Sequence, residues 1–248
     1  MEKPSIRFVD IHTHLLPGVD DGAQDLKQAL TLLQRAWERG TGAMVLTPHY
    51  RSRFRDNVQP KLEPIYQQLV REAQKVCPGM ELYLGCEVGY ELDISEKLAQ
   101  GSVLSISGTR YVLLEFTDSA FRSRILEGTL ELLNFGYIPI LAHVERYEAF
   151  RKNRTLAREL VELGALLQLN ADSVIGHQGF GVKRFCHRLM RCRLVHFIGS
   201  DAHNADTRPP ELKPCFVMLK RRYGQAYAEQ LLCRNPRTVL ADGEDIEC

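Results

Sequence analysis

Six short apolar runs in the 248-residue chain end in a histidine or a carboxylate. The chain stops being apolar at His12 and His14, at His49, at Glu87, at Glu115, at His143 and at Asp201. Between these runs, apolar residues recur every three or four positions, the spacing of a helix with one buried face. Short buried strands alternating with amphipathic helices belong to a parallel sheet covered by helices. The order β then α repeats about seven times without a Ser/Gly-rich linker, a low-complexity stretch or a solenoid period. This predicts an α/β chain forming one (β/α) barrel rather than an open doubly wound sheet. Polar groups at strand C-termini are where such barrels build their sites.

The spacing predicts helices over 25–39, 62–76, 94–100, 124–135, 153–163, 182–190, 210–223 and 226–232. It predicts strands over 43–46, 80–87, 103–106, 111–115, 137–143, 165–169 and 196–201, after an opening strand through Val9 and Ile11. Composition agrees with a globular chain: 44% hydrophobic, 25% charged and a formal net charge of +1. That balance gives no field for nucleic acid, and no apolar run is long enough for membrane insertion. The seven cysteines are odd in number with no C-x-x-C pair, so free thiols and a cytoplasmic setting are expected.

His12 and His14 lie two apart on a strand, a step of roughly 6.5–7 Å that points both the same way. Asp20 and Asp21 follow after Pro17-Gly18, and either aspartate can supply a loop carboxylate. Five of the eight histidines and the three acids Glu87, Glu115 and Asp201 crowd at strand ends. So many ligand-type groups on one rim are hard to satisfy without cations, and nine positions are more than one ion needs. His177, His187 and His196 fall elsewhere and read as structural or solvated. Cys215 has Arg221 six residues on, but the intervening stretch lacks glycine and reads as helix, so no phosphate-cradling cysteine loop is expected.

The set D-I-H-T-H, V-D-D-G, T-P-H, Glu87, L-L-E, A-H-V-E-R-Y and G-S-D-A-H resembles the polymerase and histidinol phosphatase (PHP) superfamily. Within it, H-T-H-L-L-P-G-V-D-D-G-A and A-H-V-E-R-Y resemble the bacterial protein-tyrosine phosphatases of capsule and exopolysaccharide gene clusters. The resemblance implies a distorted (β/α)7 barrel filling the chain as one domain over 1–248. It also implies three divalent ions, most often Mn²⁺, with Fe or Zn as alternatives. It assigns His12, His14, Glu87 and Asp201 to a first ion. Glu87 then bridges to a second ion held with Glu115 and His143, and Asp21, His49 and His203 hold a third. Carboxylates in this set favour harder ions over zinc alone.

Arg146 and Arg208 follow His143 and His203 closely and would share the rim. Guanidinium matches phosphate bidentately, so both are expected to clamp a phosphate ester. The implied activity is hydrolysis of phosphotyrosine by metal-activated water, on the tail of a bacterial tyrosine kinase governing polysaccharide export. A small-molecule phosphomonoesterase of the histidinol-phosphate type is the rival within the superfamily. A metal amidohydrolase or nuclease, and a non-catalytic metal-binding module, are the rivals outside it. Arg51, Arg53 and Arg55 after His49 read either as a solvated loop or as an electropositive lip for an acidic peptide.

Overall fold

A computed structural model of the chain describes residues 7–51, 54–153, 155–244 and 246. Arg53 and Cys248 therefore lie outside the described residues. The strands are β1 (Phe8–Thr13), β2 (Thr41–Leu46), β3 (His49–Tyr50), β4 (Glu81–Leu84), β5 (Glu87–Gly89), β6 (Tyr111–Glu115), β7 (Ile138–Leu141), β8 (Leu166–Asn170) and β9 (Phe197–Gly199). Every pairing is parallel, in the orders β1-β2-β4 and β3-β5-β6-β7-β8-β9. The two ladders are one path with a step in it. β2 continues into β3 across Pro48, which has no N–H to donate, and β4 continues into β5 across Gly85. Hydrogen bonds from Gly85 N to Leu46 O (2.9 Å) and from Glu87 N to Pro48 O (3.1 Å) carry the pairing across the break. Asp201 N to His12 O (2.9 Å) and His14 N to Ala202 O (2.8 Å) return β9 to β1. The result is a distorted (β/α)7 barrel.

The helices follow the apolar spacing. They are α1 (Leu26–Glu38), α2 (Gln59–Val76), α3 (Ile94–Ala99), α4 (Arg122–Asn134), α5 (Glu148–Lys152), α6 (Leu156–Glu162), α7 (Ala171–Ile175), α8 (Phe180–Arg191), α9 (Lys213–Tyr223), α10 (Gln225–Glu229) and α11 (Asn235–Leu240). Asp25 caps α1 by accepting from Gln28 N at 2.8 Å, a contact of about 1 kcal/mol. Two expectations fail. The stretch 103–106 is not a strand. Val103 and Ile106 are buried, but Ile106–Gly108 forms a 3-10 turn with Ser107 at φ 53°, which no ladder accommodates. The helix expected over 226–232 ends at Glu229, widens through a π-turn over Gln230–Arg234 and restarts as α11. The short α5 and α7 were also unforeseen. Among the described residues the cysteines are free, and no helix is long and apolar enough to cross a membrane.

Two apolar layers result. Phe8, Met44, Leu82, Val112, Leu114, Leu167 and Ile198 face the helices, packed on Leu33, Leu69, Ile125, Leu160 and Leu219. Val9, Ile11, Ala43, Val45, Tyr111, Leu113, Ile140 and Phe197 fill the barrel interior, with Val239 of α11 among them. The Tyr111 hydroxyl donates to Gly243 O at 2.5 Å, tying the C-terminal segment to the N-terminal ends of the strands. Side chains alternate faces along a strand, so the interior-facing series can be followed upward. Tyr83 leads through Gly85 to Glu87, Tyr111 and Leu113 to Glu115, Leu166 to Gln168 and Asn170, and Phe197 through Gly199 to Asp201. The interior is apolar at one end and carries carboxylates and amides at the other.

Candidate metal centre

β1 shifts register between Asp10 and Thr13, and His12 Nε2 and His14 Nε2 come within 3.3 Å of each other. Gly199 makes room for this. A Cβ there would lie 2.8 Å from Gln168 Nε2 and 2.9 Å from His12 Cβ. The loop after His14 folds back tightly, and a Cβ on Gly22 would sit 1.8 Å from His14 O. That fold separates the two aspartates. Asp20 Oδ2 accepts from His14 Nδ1 (2.7 Å) and His49 N (3.0 Å), while Oδ1 accepts from Gly22 N (3.0 Å). Asp21 reaches forward, with Oδ1 3.4 Å from His49 Nε2 and 3.5 Å from His203 Nε2.

Glu87 stands among four imidazoles. Its Oε1 is 2.8 Å from His143 Nε2 and 3.3 Å from His12 Nε2; its Oε2 is 2.8 Å from His49 Nδ1 and 3.3 Å from His14 Nε2. Asp201 Oδ1 lies 3.5 Å from His12 Nε2 and 3.4 Å from His14 Nε2. Glu115 lies 3.7 Å from His143 and 3.8 Å from His49, and Arg51 Nη1 donates to both its oxygens at 2.8 and 2.7 Å. His143 and Asp201 hold positive φ values of 33° and 52°, a conformation costing roughly 1–3 kcal/mol that persists where surroundings impose it.

A charge-assisted hydrogen bond closes to about 2.7–2.9 Å, whereas most of these contacts stand at 3.3–3.5 Å. Atoms that share one cation at about 2.1 Å are roughly 3 Å or more apart. Four buried atoms of the cluster, His49 Nδ1, Glu87 Oε2, His143 Nδ1 and His203 Nε2, have no hydrogen-bond partner. His49 Nδ1 and Glu87 Oε2 approach to 2.8 Å without the alignment of a hydrogen bond. Buried polar atoms left this way are costly, and an unpaired imidazole or carboxylate edge is what a divalent ion satisfies. The donors therefore fit divalent cations. Sets whose ligand atoms lie within 4.8 Å of one another are His14–Asp21–His49–His203, His12–His14–Glu87, His12–His143–Asp201 and His49–Glu87–Glu115.

Proton affinities follow the same crowding. Burial opposes charge on His14, but Asp20 outweighs it and raises the pKa well above the usual imidazole value. His49 is likewise lifted to about 9 by Glu87 and Asp21 against burial. Burial also opposes charge on His143, and Glu87 raises it. His203 goes the other way, because burial and the charge of His14 outweigh Asp21. Burial and the charge of Glu87 raise Glu115. For Asp201 and Glu87 burial opposes charge, yet the surrounding imidazoles hold both low.

Outside this cluster, Gln168 Oε1 accepts from His143 N at 2.7 Å and lies 3.2 Å from His12 Nδ1. Its Nε2 donates to Asn170 Oδ1 (2.9 Å), and Asn170 Nδ2 donates to Asp201 Oδ2 (2.9 Å). This amide chain orients an imidazole and a carboxylate of the cluster, as supporting groups around metal sites do. Sequence reasoning assigned neither amide a role, although their two-residue spacing at a strand end was the signal. Arg208 Nη1 lies 3.4 Å and Arg146 Nη1 3.8 Å from Asp201 Oδ2. Asn204 Oδ1 shapes the loop before Arg208 by accepting from the amides of Asp206, Thr207 and Arg208. His187, His196 and His177 lie away from the cluster. Cys215 is buried on α9, and burial pushes its thiol far up.

The profile of the capsular polysaccharide synthesis family CpsB/CapC matches residues 8–241. The chain is 30% identical over 240 residues to the tyrosine-protein phosphatase CpsB of Streptococcus pneumoniae, spanning 95% of this chain and 99% of that protein. It is 32% identical over 217 residues to the tyrosine-protein phosphatase YwqE of Bacillus subtilis, spanning 88% and 85%. A crystal structure from work on YwqE of B. subtilis and CpsB of S. pneumoniae, described as unique metal-dependent tyrosine phosphatases, superimposes with a TM-score of 0.91. That match covers 97% of each chain at 30% identity.

Proposed function

The chain belongs to the CpsB/CapC family within the PHP superfamily, and from that premise we propose that it is a metal-dependent protein-tyrosine phosphatase. Its substrate is the phosphotyrosine-bearing segment of a bacterial tyrosine kinase that regulates capsule or exopolysaccharide synthesis, met in the cytoplasm. The observation that carries this reading is the packing of five imidazoles and four carboxylates at ligand-to-ligand spacings, with two arginines at their edge.

The proposed ligands are His12, His14, Asp21, His49, Glu87, Glu115, His143, Asp201 and His203, serving three divalent ions, with Mn²⁺ preferred. Asp21, not Asp20, faces the imidazoles, and Asp20 acts behind them by fixing the tautomer of His14. Bound divalent ions would polarise the phosphoryl oxygens and make water acidic enough to attack near neutral pH. Arg146 and Arg208 would grip the remaining phosphoryl oxygens and turn the ester so that its phenolic oxygen points outward. Those guanidiniums also stabilise the charge gathering in the transition state. Tyrosine leaves with a pKa of about 10, so departure needs little help from an acid.

A comparison of substrates tests the reading. Phosphotyrosine peptides should turn over far faster than histidinol phosphate or nucleotide monophosphates, and EDTA should abolish the difference. Preference for histidinol phosphate would assign the site to the small-molecule branch instead.

A further inference from the structure

Two cavities flank the metal centre, and their walls carry opposite charge balances. The one beside Asp201 holds about 570 Å³ and is walled by five carboxylates, including Asp118, Glu148 and Asp172, against three arginines. The one beside Glu115 holds about 390 Å³ and is walled by Arg51, Arg55 and Arg124, with Tyr90 and Phe116 as its aromatic side. Its two carboxylates are already engaged. Glu91 is shared between Arg55 and Lys97, each at 2.5 Å. Glu115 is held by Arg51 and belongs to the proposed ligand set, where a cation would compete with Arg51 for it.

Arg124 is a built part of this wall. Its guanidinium carbon lies 4.3 Å from the centre of the Tyr90 ring, a cation–π contact. The ring is fixed in turn: its hydroxyl donates to Glu131 Oε2 at 2.8 Å, and a Cβ on Gly128 would meet it at 2.8 Å. Arg124 pairs with the half-exposed Glu127 at 3.0 Å. Arg55 is 63% exposed and donates to Glu91 through Nη2, one of the five N–H donors of a guanidinium. Guanidiniums around a cavity with ample room for a side chain suit a carboxylate, because guanidinium binds carboxylate in a planar fork.

We propose that the cavity beside Glu115 is a subsite for an acidic side chain close to the phosphotyrosine, gripped by Arg55 and Arg124 with Arg51 at its boundary. The subsite rests on the phosphatase reading above, and it gives the substrate a direction. An acidic residue falls on the Arg124 side of the scissile phosphate, because the cavity on the other side, with five carboxylates to three arginines, disfavours one.

The test scans glutamate, alanine and lysine through three positions on each side of phosphotyrosine in a fixed peptide, using manganese-loaded protein. One position should favour glutamate over lysine about tenfold in kcat/KM, the worth of one charge-assisted contact. That ratio should collapse in the Arg55→Ser/Arg124→Ser double variant and shrink in 1 M salt. The same scan with a non-hydrolysable phosphonate in place of phosphotyrosine, read by fluorescence anisotropy, should show the same preference in Kd. A preference in Kd without turnover of any phosphopeptide would sink the phosphatase reading and leave the subsite standing. Turnover or binding indifferent to glutamate at every position, or a preference that survives the double variant, overturns the subsite.

Discussion

His14 and His196 sit at opposite ends of the barrel, 0% and 2% exposed respectively, and they behave in opposite ways. His14 faces Asp20, Glu87 and Asp201 and is pushed towards the charged form. His196, just before β9, is lowered to about 4 by burial alone, and its Nδ1 accepts from Leu167 N at 3.0 Å. His187 behaves like His196, at about 4, with its ring stacked on Tyr223 and Nδ1 2.7 Å from the tyrosine hydroxyl. Burial does not distinguish a ligand from a structural histidine; the neighbours do. At one end of the strands, most imidazole–carboxylate contacts stand at 3.3 Å or more, too wide for good hydrogen bonds. His196 and His187 instead each hold a neutral partner at bonding distance through Nδ1.

Breaking the first region should cost most. His14→Ala removes a donor common to two of the four ligand sets. It should lower phosphotyrosine turnover on the order of 10³-fold and lower the metal count per chain, checked by kcat and plasma mass spectrometry on one sample. Arg146→Ala should keep the metals and lose roughly 10²-fold in kcat. Metal loss in that variant would place Arg146 in the ligand scaffold instead. Asp20→Asn should weaken metal affinity about 10–100-fold, as loss of a supporting partner does. Turnover should recover at high Mn²⁺, which titration of metal against rate would show.

The other region should give the smallest effect and the opposite chemistry. The folded pKa of His196 lies below the unfolded value near 6.5, so the unfolded chain takes up the proton first. The stability His196 contributes is therefore complete above about pH 6.5 and is lost as pH falls towards 4. Urea unfolding of metal-free protein should show His196→Gln closing its gap to the parent chain between pH 7 and 4.5, by at most roughly 3 kcal/mol. A gap that does not change with pH would remove His196 from this account.

The comparison also explains what could be read from sequence. Short apolar runs that each end in an acid put Glu87, Glu115 and Asp201 at the rim without further information, and His12-x-His14 announced its end of the barrel. The separation of Asp20 from Asp21 could not be read, because it depends on Gly22 packing on the His14 carbonyl, a contact between loop and strand. Residues 103–106 were as apolar as a strand, but Ser107 turns the chain there. The grouping of ligands is also a tertiary matter. His143 lies within one set with His12 and Asp201, whereas family resemblance places it with Glu115. Gln168 and Asn170 have the spacing of rim residues, but their neutral amides carry none of the charge or imidazole chemistry that marks a metal ligand in sequence.

The central claim is that these nine side chains exist to hold catalytic metal. Metal content and phosphotyrosine hydrolysis measured on the same preparation, as purified, stripped by chelator and reloaded with Mn²⁺, test it most directly. Three ions per chain are expected, with turnover abolished on stripping and restored as the ions return. Undiminished turnover in metal-free protein, or a fully loaded chain that hydrolyses no phosphomonoester, would contradict it.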